Sequence, residues 1–125
     1  PATRQNLDEY IKTTETGIRY FSGAKKTKAI LILNPAIPCI NMVTTILAKV
    51  ENPNINALNT EVAKISTKVQ SYVPGYERIL GPLLENGRII IMFKLRGLGD
   101  YLPKYAGNLD IINCAALAMA EEYAN

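Results

Sequence analysis

The sequence contains no histidine and no tryptophan, and only two cysteines and two phenylalanines. Zero histidine excludes Ser-His-Asp and Cys-His nucleophile pairs, histidine general bases and histidine metal ligands. Chemistry on this chain must use carboxylate, lysine, tyrosine or thiol, or draw on residues from elsewhere. Two cysteines, Cys39 and Cys114, are too few for a disulfide framework, and neither belongs to a CxxC pair. They are expected as two buried thiols in a reducing, cytoplasmic compartment. No metal site is expected. No apolar run approaches the roughly 18 residues of a membrane span, and the polar, helix-patterned start does not resemble a signal peptide. Charge is also scarce: 20% of residues are charged and the net is +3. The whole excess lies in residues 1–30, with six basic and three acidic side chains, while residues 31–125 hold eight of each. Lys25, Lys26 and Lys28 read as a solvated turn, because a nucleic-acid face needs a wider basic stripe with interleaved aromatics.

What remains is 125 residues of globular composition, 48% of them hydrophobic. That is the length of one domain, 1–125, and short for two. Asn6 is a suitable N-cap for a first helix, with Asp8 and Glu9 at its positive end and Gly23 as its stop. The apolar run Ala29 to Leu33 has strand length and reads as a strand buried on both faces. A second strand spans Val43 to Val50. A helix follows over about residues 55–72, its stripe formed by Ile55, Leu58, Val62, Ile65, Val69 and Tyr72. Tyr76 to Leu84 is a weaker strand, broken by Gly81-Pro82. Asn86-Gly87 is a hairpin turn leading into the strand Arg88 to Arg96. The last helix covers about residues 109–124. The order α-β-β-α-β-β-α implies an α+β fold with a mixed or antiparallel sheet and helices on one face.

Two glycine-rich stretches fail as phosphate loops. Gly97-Leu98-Gly99 does not complete GxGxxG, since position 102 is Leu, and Gly23 to Thr27 lacks the first Walker glycine. The long loop from Gly97 to Gly107 is more informative, because loops of this kind carry function. It delivers Asn108 and Asp110 to a helix start. Asn108 suits either an N-cap or an amide that reads a ligand, and physics alone leaves both open.

Four blocks in order resemble a known family: Pro1 to Tyr10, Lys28 to Ala36, Val69 to Tyr76, and Asp100 to Leu117. Together they resemble the C-terminal, dimerisation domain of the CoA-acylating acetaldehyde dehydrogenases, partners of 4-hydroxy-2-oxovalerate aldolase. The fold the resemblance implies is that of the C-terminal domain of acylating aldehyde and glyceraldehyde-phosphate-type dehydrogenases. The activity it implies is oxidation of acetaldehyde with CoA and NAD to acetyl-CoA and NADH, through a cysteine thioester. A thiolate suits this work because it both adds to a carbonyl and leaves again. In the family that cysteine lies in an N-terminal Rossmann half, which this sequence does not include, so the chain is expected to be inactive alone. The resemblance assigns Pro1, Ala2, Thr3, Arg4, Gln5, Asn6 and Asn108 to NAD, and Leu7 and Leu31 to an apolar channel for the aldehyde. It assigns no catalytic residue here. Thr44 falls where the family has an acidic residue, and a threonine hydroxyl is no base near neutral pH. Ala2 replaces a family glycine, and the stretch between Tyr76 and Gly97 looks shortened to a trimmed hairpin. These departures leave an alternative open, an assembly domain that has lost catalysis. Either way a homodimer is expected.

Overall fold

A computed structural model describes residues 5–125. The chain divides into two compact units, Pro1–Pro35 and Ala36–Asn125.

The first unit holds helix α1, Leu7–Ser22. Gly23 ends it as expected, in the left-handed conformation with its N–H donating to the Arg19 carbonyl at 3.0 Å. Asn6 occupies the N-cap position, but it caps with its backbone: its carbonyl accepts from Tyr10 N–H at 3.1 Å, and its side chain makes no cap hydrogen bond. The following segment is fastened by Glu15. The Glu15 carboxylate accepts from Ala29 N–H at 2.9 Å, and its carbonyl accepts from Thr27 Oγ1 at 3.0 Å. The strand expected at Ala29 to Leu33 does not form. Ile30 and Ile32 are 73% and 80% exposed. A strand exists only through hydrogen bonds to a neighbour, and apolar composition supplies none.

The second unit is built on a three-stranded antiparallel sheet. Its strands are β1 (Met42–Ala48), β2 (Tyr76–Glu85) and β3 (Arg88–Leu95), in the order β1-β3-β2. Helix α2, Ile55–Gln70, joins β1 to β2, and helix α3, Gly107–Ala124, follows β3. The α+β arrangement is the one expected, with one strand fewer. Asn86 and Gly87 both have positive φ, 51° and 71°, and close the β2–β3 hairpin as the Asn-Gly pair predicts. β2 runs through Gly81-Pro82 by breaking register on either side of Leu80. Proline has no N–H to give the ladder, so an edge strand with a bulge is where it fits.

Burial in β3 alternates strictly: Ile89, Ile91, Phe93 and Leu95 are buried, while Ile90, Met92 and Lys94 are half-buried. Helix α2 causes this. Its Ile55, Leu58 and Val62 pack on Ile89, Ile91 and Phe93, together with Ala48 and Tyr76. Asn54 caps α2, its side chain accepting from Ala57 N–H at 3.0 Å. Arg78, on the covered face, donates to Asn59 on α2 at 2.7 Å. Ile65 drops out of the expected stripe and is exposed, and Ser66 is buried instead, its hydroxyl satisfied by the Val62 carbonyl at 2.7 Å. A 3.6-residue period starting from Ile55 and Val62 centres on Ser66, with Ile65 at the margin.

Candidate functional site

In an antiparallel ladder, directly opposed residues share a face, so the register fixes what the uncovered side of the sheet presents. Its centre is Val43, Thr45 and Leu47 from β1, Ile90 and Met92 from β3, and Leu80 and Leu83 from β2. Val43, Leu47 and Leu80 are exposed, Leu47 by 58%. At one end of this apolar strip Glu77 stands opposite Lys94, and at the other Glu85 stands opposite Arg88. An apolar centre closed by charged pairs is the anatomy of a protein–protein interface. The sequence showed an apolar β3 but not which half of it stays uncovered. The alternation appears only once α2 is seen to cover a single face.

The residues assigned by resemblance lie in both units. Pro1, Ala2, Thr3 and Arg4 are outside the described residues. Gln5 and Asn6 are exposed at the start of the first unit. Leu7 is the half-buried first residue of α1, and Leu31 is 42% exposed in the irregular run that follows. Asn108 belongs to the second unit and is exposed there. It is not the N-cap of α3. That position is Ala106, which places Asn108 inside the first turn with its side chain free of capping duty.

Asp110, in the same first turn, reaches outside the helix. Asp110 Oδ2 accepts from Leu98 N–H at 2.7 Å, and Gly97 N–H donates to the Lys104 carbonyl at 2.8 Å. The loop is thereby folded back onto the start of α3. The spacing of Gly97 and Asp110 gave no signal for this, because the contact crosses a loop of no fixed geometry.

Thr44 lies opposite Phe93 on the α2-covered face, but at the β1 edge, where it remains exposed. The two cysteines are free thiols. Cys39 is exposed and Cys114 half-buried, which corrects the expectation of two buried thiols. Cys39 lies in the loop before β1, outside the packed layers. Among titratable groups, Tyr76 stands out: burial, and secondarily the nearby Tyr72 hydroxyl, push its phenol above the ordinary value of 10.0. It stacks on Phe93 with ring centroids 4.7 Å apart and is a core group that stays neutral. Concavities on the outer faces of α2 and α1, about 750 and 600 Å³, are open to solvent and enclose no site.

The family model described as prokaryotic acetaldehyde dehydrogenase, dimerisation, matches residues 1–103. The chain belongs to this family. It is 63% identical over 124 residues to an acetaldehyde dehydrogenase of Spirochaeta aurantia, covering 99% of this chain and 42% of the relative. It is 57% identical over 121 residues to one of Pectobacterium atrosepticum, covering 97% and 41%. With one of Geobacillus stearothermophilus it shares 48% over 126 residues, covering 99% and 43%. The chain therefore spans about two-fifths of the length of the curated relatives it matches. The family match ends before Asn108, whereas the relatives align through α3. The Spirochaeta alignment uses 124 residues for 99% of the chain, which leaves no room for a trimmed hairpin relative to that dehydrogenase.

Proposed function

We propose that this chain is the dimerisation and substrate-channel part of a CoA-acylating acetaldehyde dehydrogenase, in which acetaldehyde, CoA and NAD⁺ give acetyl-CoA, NADH and a proton. The observation that carries the reading is the uncovered sheet face, an apolar strip closed at both ends by opposed charges. A second copy related by a two-fold axis covers such a face most economically, since the patch is then its own complement. Helix α2 takes the opposite face, so assembly and folding use different sides of one sheet.

An exposed amide at Asn108 supports a contribution to the dinucleotide site. The Asn108 side chain is exposed and carries both a donor and an acceptor, enough to pair with a ligand amide. It stands in the first turn of α3, where unpaired N–H groups and the helix dipole favour a negative ligand. NAD, when bound, supplies the hydride acceptor. Asn108 would hold and orient it, and the family resemblance separately assigns Pro1 to Asn6 to NAD. Leu7 and Leu31 provide apolar wall for the aldehyde, which a polar wall would divert toward hydration. The nucleophilic cysteine and a Rossmann half belong to the rest of the parent protein. A 4-hydroxy-2-oxovalerate aldolase is the partner that supplies acetaldehyde, and a reducing cytoplasm keeps the thiols available.

The test is NADH formation by the full-length parent protein given acetaldehyde, CoA and NAD⁺. Turnover dependent on both substrates is expected, and its absence refutes the reading. Thr44, in place of an acidic residue, favours a second reading in which the domain assembles without catalysis. Calorimetry separates the two, because tight NAD binding by the full-length protein counts against an assembly-only role.

A further inference from the structure

The start of α3 is pinned to the end of β3 from two sides. Leu98 N–H donates to Asp110 Oδ2 at 2.7 Å. This bond leaves the helix and holds a loop residue twelve positions upstream. Gly97 makes it possible: a β-carbon there would stand 2.6 Å from Asp110 Oδ2, inside the space the carboxylate occupies. On the other side, the buried Gly107 lies against the β3 backbone, and a β-carbon there would come 2.9 Å from the Leu95 carbonyl oxygen. Asn108 sits between these pins, with an exposed side chain.

An acidic residue in a first helical turn ordinarily needs no partner beyond its own helix, since the dipole alone favours it. The Asp110 carboxylate instead accepts a charge-assisted hydrogen bond from a separate segment, a stronger interaction than a neutral one. We propose that Asp110 is a positioning residue: by clamping Leu98 it fixes the register of the 97–106 loop on α3 and so sets the direction of the Asn108 amide toward the cofactor. The proposal rests on the reading of Asn108 as a cofactor contact. Asp110 itself touches neither substrate nor cofactor. Releasing the clamp leaves Asn108 in place chemically but lets the first turn of α3 shift, and a displacement near 1 Å is enough to degrade an oriented contact.

Steady-state kinetics on the full-length dehydrogenase test this. Asp110→Ala is expected to raise KM for NAD by about tenfold, in line with the loss of one charge-assisted hydrogen bond. KM for CoA and kcat at saturating NAD should stay within about twofold, because the clamp acts on orientation alone. Asp110→Asn keeps a carbonyl oxygen that accepts from Leu98, so it should bring KM back to within about threefold of wild type. A purely structural role would instead lower the active fraction for all substrates together. Gly97→Ala, which displaces the Asp110 carboxylate without altering it, should reproduce the KM rise and carries the test if Asp110→Ala fails to fold. Asn108→Ala separates the two layers. A raised KM in Asn108→Ala with a wild-type KM in Asp110→Ala and Gly97→Ala overturns the positioning role alone. A wild-type KM in Asn108→Ala overturns the cofactor reading and the positioning role with it.

Discussion

Two adjacent isoleucines on β3 should respond to the same substitution in opposite ways. Ile91 points into the layer between sheet and α2 and is 7% exposed. Ile90 points to the uncovered side, beside Leu47 and Leu83 in the ladder. Ile91→Glu places a carboxylate among Ile89, Phe93 and α2 with no partner. The cost of an unpaired buried charge and a lost core side chain is about 3–5 kcal/mol. Among the described residues the buried hydrophobics are Val73, Ile89, Ile91, Phe93 and Leu95, and marginal stability is about 5–15 kcal/mol, so this variant should lose about a third or more of its stability and unfold at a much lower temperature. Ile90→Glu puts its carboxylate in water in the free protomer and should leave the protomer folded. In a symmetric pair the change counts twice, and desolvating two unpaired carboxylates against an apolar face costs about 3 kcal/mol or more, at least a hundredfold in dissociation constant. Circular dichroism reads folding, and sedimentation velocity reads association. If both variants unfold alike, or if Ile90→Glu associates as tightly as wild type, the assignment of the two faces is wrong.

Three further outcomes follow from the core and the hairpin. A double-mutant cycle of Tyr76→Leu and Phe93→Leu should give a coupling of about 0.5–1.5 kcal/mol in urea unfolding, the worth of a stacked aromatic pair. A coupling near zero would deny the stack an energetic role. The phenol of Tyr76 titrates higher folded than unfolded. Its contribution is therefore complete below the unfolded value near pH 10 and is lost as pH rises through the folded value. Wild type should lose stability in alkali more steeply than Tyr76→Phe, and parallel pH profiles would contradict this. Gly81 has φ of 73°, and a β-carbon there would run into the Ile90 carbonyl. Gly81→Ala should cost about 1–3 kcal/mol in thermal unfolding, whereas Gly87→Ala, where a β-carbon meets nothing within 4 Å, should cost less.

Local signals were read well where the chain itself completes the structure. Asn86-Gly87 needs only its own two residues to close a hairpin, and Gly23 needs only the α1 carbonyls. The run Ala29 to Leu33 has the composition of a buried strand, but among the described residues no strand pairs with it. Pro82 suggested a break in β2, which an edge position and a register shift absorb instead. Among site residues, Asn108 was legible as a residue at a helix start, open between an N-cap and a ligand-reading amide, and the N-cap position belongs to Ala106. Asp110 was legible only as an acid at a helix start, because its partner, the Leu98 amide, becomes adjacent only after the loop folds. The uncovered face could not be read from β3 alone, since Ile89, Ile90, Ile91 and Met92 are all apolar. Only the placement of α2 tells Ile89 and Ile91 from Ile90 and Met92.

Sedimentation equilibrium of the unmodified chain, over a concentration series, addresses the central claim that the uncovered sheet face joins two copies. A mass converging on twice the 13.8 kDa of the chain, and returning to the single-chain mass in Ile90→Glu, is the predicted result. A wild-type chain that remains a 13.8 kDa monomer at high concentration would contradict it.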